Sequence, residues 1–462
     1  MKIKLIIWFL LPAALWLAGC RKFVQVPDPD NLLGTGKVFA GDETATAALT
    51  GMYSRAMSSS GSFLNGGNTI YPAMSADECT PTLAMPAVVE FSDDALESGN
   101  TYISQLYGSA YNVIYNANTL WESLVGNRQV SAIVRRQIMG EALFVRALLY
   151  SRMVVLWGAV PLITTTNADV NAIARRTGAD TVYIQVMKDL HAADSLLDTA
   201  YAWNGTGATE RTRPNRWAAR ALLARVNLYM GAWSAAEAAA TAVIDSSGAM
   251  LESSLDSVFL KGSREALWQL QPVSNIMNSA EGYYYLPADN PQARPSYVLT
   301  TTLLNSFETG DLRRLRWVGA KTIGSVVYNY PMKYKTRTGP PYREYNMVLR
   351  LAEQYLIRAE ARVRQNDLVG AIQDLNVVRA RAGLPDLSAG VSQDSILAAV
   401  IQERRVELFA EWGHRWADLI RWGQADSVLS MEKPKWTANA KLYPLPLVDI
   451  QRNGNLRQND GY

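Results

Sequence analysis

The tightest constraint on the fold is a spacing of small residues that occurs twice. In "RWAARALLARVNLYMGAWSAAEAAATAVID", Ala224 is followed at distances of seven, nine and twelve by Gly231, Trp233 and Ala236. In "RAEARVRQNDLVGA", Ala359 is followed at the same distances by Asn366, Leu368 and Ala371. Small side chains let two antiparallel helices approach closely, and Gly or Asn between them supplies the turn. Each stretch therefore predicts a helical hairpin, and the recurrence predicts a helix-pair repeat. Two units leave open a coincidence of two unrelated alanine-rich hairpins, and an array requires further helices elsewhere.

Helical patterning is available to supply them. Asp42 is placed to cap a helix through "ETATAALTGMYSRAM", with Ala45, Leu49, Met52 and Tyr53 on one face. Long helices are predicted at about 102–125 and 133–157, the second stopped by Gly158 and Pro161, and they pack as a hairpin. A third, at about 181–197, precedes the loop "AWNGTGATERTRPN". Near the C-terminus, a helix at about 394–409 breaks near Gly413 and resumes over 416–422.

Two regions show no period. Residues 58 to about 100 hold Gly, Ser, Asn, Pro and scattered aromatics, and read as a loop-rich insertion of the kind that is functional or disordered. Residues of about 265–349 mix Pro and Gly turns with short β-rich pieces such as 326–334. Thirteen Trp and twenty-two Tyr exceed what a core requires, and rings with an apolar face and a polar handle suit a recognition surface.

The first residues read as an address. Lys2 and Lys4 precede the apolar run Leu5–Leu17, which is too short to span a bilayer, where roughly 20 apolar residues are needed. "LAGC" resembles the lipobox of bacterial lipoproteins, so 1–19 is expected to be a signal peptide, Cys20 the lipidated residue and 20–41 a tether. Lipidation leaves Cys79 without a disulfide partner, as a small buried hydrophobe. Loss of Lys2 and Lys4 takes the formal charge from +3 to +1, and with no basic run the footprint of a nucleic-acid binder is missing. The remainder is expected to form one domain over 42–462, in an N-terminal part of about 42–250 and a C-terminal part of about 265–462.

The stretch "ERRVELFAEWGHRWADLIRWG" demands a decision about catalysis. Glu403, Glu407 and Glu411 fall on one helix face about a turn apart, a separation two carboxylates could use in glycoside hydrolysis. Arg404, Arg405 and Arg415 share those turns, however, and a carboxylate paired with arginine is held ionised, which suits a salt bridge and disqualifies a general acid. His414 between tryptophans reads as packed or capping. Asp77-Glu78 and Asp93-Asp94 could hydrogen-bond sugar hydroxyls or bind calcium, and read as solvated loop acids. Two histidines and one free thiol assemble no zinc pattern, and neither a Gly-x-Ser-x-Gly elbow nor a Gly-rich phosphate loop occurs. No enzyme, metal or cofactor is expected.

These motifs together resemble the SusD/RagB family of Bacteroidota outer-membrane lipoproteins. The resemblance runs nearly end to end, through "VFAGDETATAALTGMYSRAM", "GEALFVRALLYSRMVVLWGAVPLI", the two hairpins, the 403–423 stretch and the tail "LYPLPLVDIQRNGNLRQNDGY". It implies a mostly α fold, with tetratricopeptide-like helical pairs as scaffold and irregular loops and short β pieces forming a binding face, and it makes 403–423 a scaffold signature. It also implies a lipid-anchored, cell-surface binder without catalytic activity. Such a protein caps a SusC-like TonB-dependent transporter and delivers oligosaccharides, or in some relatives peptides, to it. The residues after Cys20, Arg21-Lys22-Phe23, lack the acidic cluster of many surface-exported lipoproteins, so display outside the cell rests on the family alone.

Family ligand residues come from variable loops, so the site is chosen on chemistry. Sugar C–H faces stack on aromatic rings and hydroxyls need Asp, Asn or Arg partners. The candidates are Tyr71, Asp77, Phe91 and Asn100 from the first irregular region, and Asn278, Tyr283, Tyr284, Tyr285 and Trp317 from the second. The "YYY" run leads, because consecutive residues of an extended segment cannot all point inward. A peptide binder, favouring charge pairing, and a lipid-anchored glycosidase remain as alternatives.

Overall fold

The computed structural model describes residues 35–201, 210–388 and 390–462. The signal peptide, Cys20 and most of the tether lie outside them. Ten of the described helices form the frame: α1 Asp42–Met57, α2 Thr101–Leu124, α3 Ala132–Trp157, α4 Ala179–Leu196, α5 Arg216–Tyr229, α6 Trp233–Ser246, α7 Leu351–Arg364, α8 Leu368–Arg381, α9 Gln393–Glu407 and α10 His414–Arg421. Each from α2 to α8 packs on the next, and α9 closes on α7 and α8. The expected array is therefore present, and the helices beyond the two alanine-rich hairpins are its further units. Among the described residues, no helix is long and apolar enough to cross a membrane.

The two hairpins share more than spacing. Gly231 and Asn366 both sit in the left-handed region, at φ +72° and +65°. In both turns the following amide reaches back five residues, Ala232 N to Asn227 O at 2.9 Å and Asp367 N to Arg362 O at 2.8 Å. Ala224, Ala236, Ala359 and Ala371 are fully buried. Ala224, Leu228, Ala236 and Ala240 pack with Ile357 and Ala361 in one cluster between the pairs. Close approach of the four helices is what these alanines permit.

Two helix starts are built differently from each other. Asn100 caps α2, its Oδ1 accepting from the amides of Tyr102 and Ile103 at 2.9 and 3.3 Å. Asp42 does not cap α1. Gly41 holds that position, and the Asp42 carboxylate instead accepts the Ser131 amide at 2.7 Å, stapling α1 to the start of α3. α3 is the axis of the core, buried without a break from Gly140 to Val154.

Among the described residues, the strands make four two-stranded antiparallel pieces. β1 (Cys79–Pro81) pairs with β5 (Tyr297–Leu299), β2 (Val160–Pro161) with β3 (Arg176–Thr177), β4 (Ala266–Leu270) with β8 (Asn346–Arg350), and β6 (Val318–Ile323) with β7 (Val326–Pro331). β1–β5 ties the first irregular region to the second.

The first irregular region departs from its sequence reading. Residues 61–79 are buried throughout, including a helix over Asn68–Ser75. The glycines that read as loop signals serve close packing here: a Cβ on Gly67 would lie 2.4 Å from Gly61 O, and one on Gly66 2.7 Å from the Ala280 methyl. Asp77 and Glu78 are correspondingly not solvated loop acids. Asp77 receives Arg415 at 2.7 and 2.9 Å together with Arg405, and Glu78 accepts the Ala410 amide at 3.2 Å. Asp94 is also buried, 2.9 Å from Lys433 Nζ, whereas Asp93 pairs with exposed Lys435. Cys79 is buried as expected.

Candidate ligand-binding face

The short helix Ala280–Tyr285 is the centre of the face. Ser279 caps it by accepting the Gly282 amide at 3.0 Å. Gly282 allows it to lie against the next segment, since a Cβ there would stand 2.5 Å from Thr336 O. Buried Glu281 anchors it from below, accepting from Asn346 Nδ2 at 2.7 Å and Thr69 Oγ1 at 3.1 Å. Burial pushes the Glu281 carboxyl up to about 7.

The "YYY" run is thus helical rather than extended, and the helix sorts it. Tyr285 points inward at 3% exposure, while Tyr283 and Tyr284 stay half-buried at the surface, edge to face with centroids 5.6 Å apart. The Arg337 guanidinium lies 4.1 Å from the centroid of Tyr283, its Nε donating to Leu286 O at 3.2 Å. Tyr284 Oη and Ser60 Oγ share a hydrogen bond of 3.0 Å, joining the helix to the first irregular region. Tyr285 meets Tyr297 of β5, and β5 packs on β7, where Arg294 lies 5.7 Å from the Tyr328 ring. Neither Arg337 nor Arg294 has a carboxylate partner among the described residues.

The other candidates are structural. Phe91 is fully buried between Tyr71 at 4.7 Å and Tyr443 at 5.7 Å. Tyr71 is itself 5% exposed and lies beneath Tyr102 at 5.2 Å. Trp317 is a core residue whose Nε1 donates to Leu255 O at 3.0 Å, with Lys333 Nζ 4.7 Å from its ring centroid. Asn278 is buried and clamps a loop, donating to Pro341 O at 3.3 Å and accepting the Glu344 amide at 3.0 Å. Asn100 and Asp77 are the cap and the ion-pair partner already described. These assignments failed because Tyr, Trp and Asn in Gly- and Pro-rich sequence look alike whether they face solvent or support a loop. Arg337, Arg294, Tyr102 and Ser60 carry no sequence signal, and only proximity in space marks them as further candidates.

The 403–423 stretch is scaffold. Arg313 reaches Glu403 at 2.5 Å and Glu407 at 3.0 Å, Arg350 reaches Glu407 at 2.5 Å and Glu411 at 2.8 Å, and Arg381 also pairs with Glu407. All six are buried. The surrounding guanidinium groups hold Glu407 far below the ordinary carboxylate range, so it cannot deliver a proton. Glu403 moves the other way, burial raising it, yet it too is closed off from solvent. Burial among Arg225, Arg404, Arg152 and Arg350 depresses His414 well below its usual value, so it stays neutral. A cleft of about 730 Å³ at the starts of α1 and α3 is lined by residues such as Glu43, Gln137, Leu196 and Tyr201, and by none of the site candidates.

Comparison with known proteins agrees with this architecture. Residues 275–462 match the SusD family, and residues 49–228 match a family described as starch-binding associating with outer membrane. SusD-like protein P25 of Formosa agariphila is 26% identical, with 96% of this chain and 95% of that protein covered. A SusD superfamily protein from Bacteroides vulgatus superposes with a TM-score of 0.79 at 19% identity, covering 91% of this chain and 99% of that one. A laminarin-binding SusD-like protein does so at 0.76 and 23%, with the same coverage. Helical array, sequence relatives and solved neighbours coincide over nearly the whole chain, which belongs to the SusD-like family.

Proposed function

We propose that the protein is a cell-surface glycan-binding lipoprotein of the outer membrane, which captures oligosaccharides on the Tyr283–Tyr284–Arg337 face and passes them to a SusC-like TonB-dependent transporter. The observation that carries the reading is the adjacent pair of half-exposed tyrosines, fixed by a capped helix beside a guanidinium without a carboxylate partner. Stacking surface and hydrogen-bond donors are then held in place before a ligand arrives, which lowers the ordering cost of binding. The relatives support the ligand class, one being a laminarin binder and one matching family carrying starch binding in its description. Delivery to a transporter and anchoring through Cys20 follow from family resemblance.

Catalysis is not part of the reading, because the one row of carboxylates that resembled a hydrolytic pair is buried and ion-paired. Peptide binding is favoured by one observation, the carboxylate-free Arg337 and Arg294, which could take a chain terminus. Calorimetric titration of a soluble form beginning at Arg21 against neutral and acidic oligosaccharides and mixed peptides separates the two. Saturable heat with a glycan class, weakened at least tenfold in the Tyr283→Ala/Tyr284→Ala variant, is the expected result, since a stacked anchor contributes about 1.4 kcal/mol or more. Heat with peptides alone, or a variant that binds glycan like the parent, would overturn it.

A further inference from the structure

A second basic feature lies away from the tyrosine face. The segment after the short helix Ala168–Ala172 meets the C-terminal tail, where Asn453 Nδ2 donates to Ala174 O at 2.8 Å and Asn455 Nδ2 to Ile173 O at 2.9 Å. Between them opens a cleft of about 300 Å³ lined by Arg175, Arg176, Gly454, Asn455 and Arg457.

Three arginines therefore line one small cleft, and the guanidinium of the central one is fixed. Arg176 donates Nε to Ala159 O at 2.8 Å, Nη1 to Arg457 O at 2.8 Å, and Nη2 to Trp157 O at 3.1 Å and to Asn459 Oδ1. Every acceptor is neutral, so its geometry is satisfied while its charge is not. Burial of that uncompensated charge pulls Arg176 below the usual arginine value. Arg175 and Arg457 are exposed, and among the described residues none of the three forms an ion pair. Two acids are nearby: Asp460 acts on Arg176 without making a salt bridge, and Asp449 is countered by Arg452. Guanidinium forks match the paired oxygens of a tetrahedral oxyanion.

We infer that this cleft binds a phosphate group, with Arg175 and Arg457 as its direct ligands, Asn455 beside them, and Arg176 supplying a fixed positive charge at its base. The phosphate comes either from a soluble phosphorylated molecule or from a lipid headgroup. Exposed Ile173, at 65%, whose carbonyl accepts from Asn455 at the cleft, suits a lipid surface.

The test uses the soluble form from Arg21. It is titrated with inorganic phosphate against chloride at matched ionic strength, and sedimented with phosphatidylcholine vesicles containing or lacking phosphatidic acid. Arg175→Gln/Arg457→Gln removes two exposed charges and leaves Arg176 and its fold contacts intact; Arg128→Gln, an exposed arginine elsewhere, is the control. Saturable phosphate binding, or retention on phosphatidic acid vesicles alone, is expected, weakened at least tenfold in the double variant and unchanged in the control. Phosphate heat without vesicle retention assigns the soluble source, and vesicle retention assigns the lipid. No preference over chloride with either probe, or an equal loss in Arg128→Gln, would refute the site. Failure here leaves the tyrosine face untouched, because the two tests share neither probe nor variant.

Discussion

Glu78 shows how far burial can move a single residue from its sequence reading. Next to Asp77 in "SADE" it looks like half of a solvated acid pair, yet it is 1% exposed and holds the amide of Ala410, a non-glycine residue at φ +50°. Loss of solvation and the neighbouring Asp77 charge push its carboxyl up to about 8, while two arginines hold Asp77 low. A carboxyl raised in the folded state binds more protons folded than unfolded between about pH 4.5 and 8, so it lowers stability as pH rises through that window. Glu281 and Asp94, both pushed up to about 7, act in the same direction. Urea midpoints for the parent should decline from pH 5 to pH 8, and Glu78→Gln should flatten that decline; a steeper slope in the variant would refute the assignment. Glu407 is the opposite case, an ionised carboxylate among arginines. Glu407→Gln strands buried guanidinium charge and should cost about 3–5 kcal/mol. At roughly 2.1 cal/mol/K per residue of unfolding entropy, that lowers Tm by about 3–5 °C, which calorimetry would resolve.

At the scale of elements, the hairpin turns carry the clearest expectation. Gly231 holds φ +72° with only the Trp233 ring, 3.5 Å away, near its would-be Cβ, so replacement is a backbone question rather than a steric one. Gly231→Ala should destabilise by about 1–2 kcal/mol, the left-handed penalty of an L-residue. Asn366→Gly should be near neutral or mildly stabilising, because Asn already tolerates that region. Paired urea melts check both, and an equal loss in the two would contradict the equivalence of the turns. These hairpins were legible in sequence because their cause is local: periodicity, a turn residue and small side chains within thirty residues. The same holds for α2, α3 and α4, whose ends fall within two residues of expectation. Residues 58–100 were not legible, since nothing local distinguishes a glycine that frees a loop from one that lets Gly61 O approach Gly67. The tyrosine run was half legible. Its exposure was expected from an extended chain; its helix starts at a local Ser279 cap and is held in place by Glu281 meeting Thr69 and Asn346 and by Gly282 lying against Thr336.

Over the whole molecule, sequence-distant contacts tie the helical array to the C-terminal segment. A pure helix-pair array is held by nearest neighbours, so removing one end leaves the rest folded. Here Tyr443 Oη donates to Ser75 Oγ at 2.8 Å, its amide to Leu156 O at 2.7 Å, and Trp157 Nε1 donates to Pro444 O at 3.0 Å. Asn459 Nδ2 donates to both Trp157 O and Tyr443 O, at 3.1 and 2.8 Å. Tyr443 and Leu445 are fully buried, and Phe91, Trp157 and Trp416 surround the Tyr443 ring. Each large buried side chain removed leaves a cavity costing about 3–5 kcal/mol, and a domain is stable by only about 5–15 kcal/mol. A chain ending at Glu432 loses Tyr443 and Leu445 together with the hydrogen bonds to Trp157 and Ser75. Although every scaffold helix from α1 to α10 remains, this chain should show helical circular dichroism without a cooperative melt. A sharp transition close to that of the parent would mean that the array stands alone, as a one-dimensional repeat does, and that the tail only covers it.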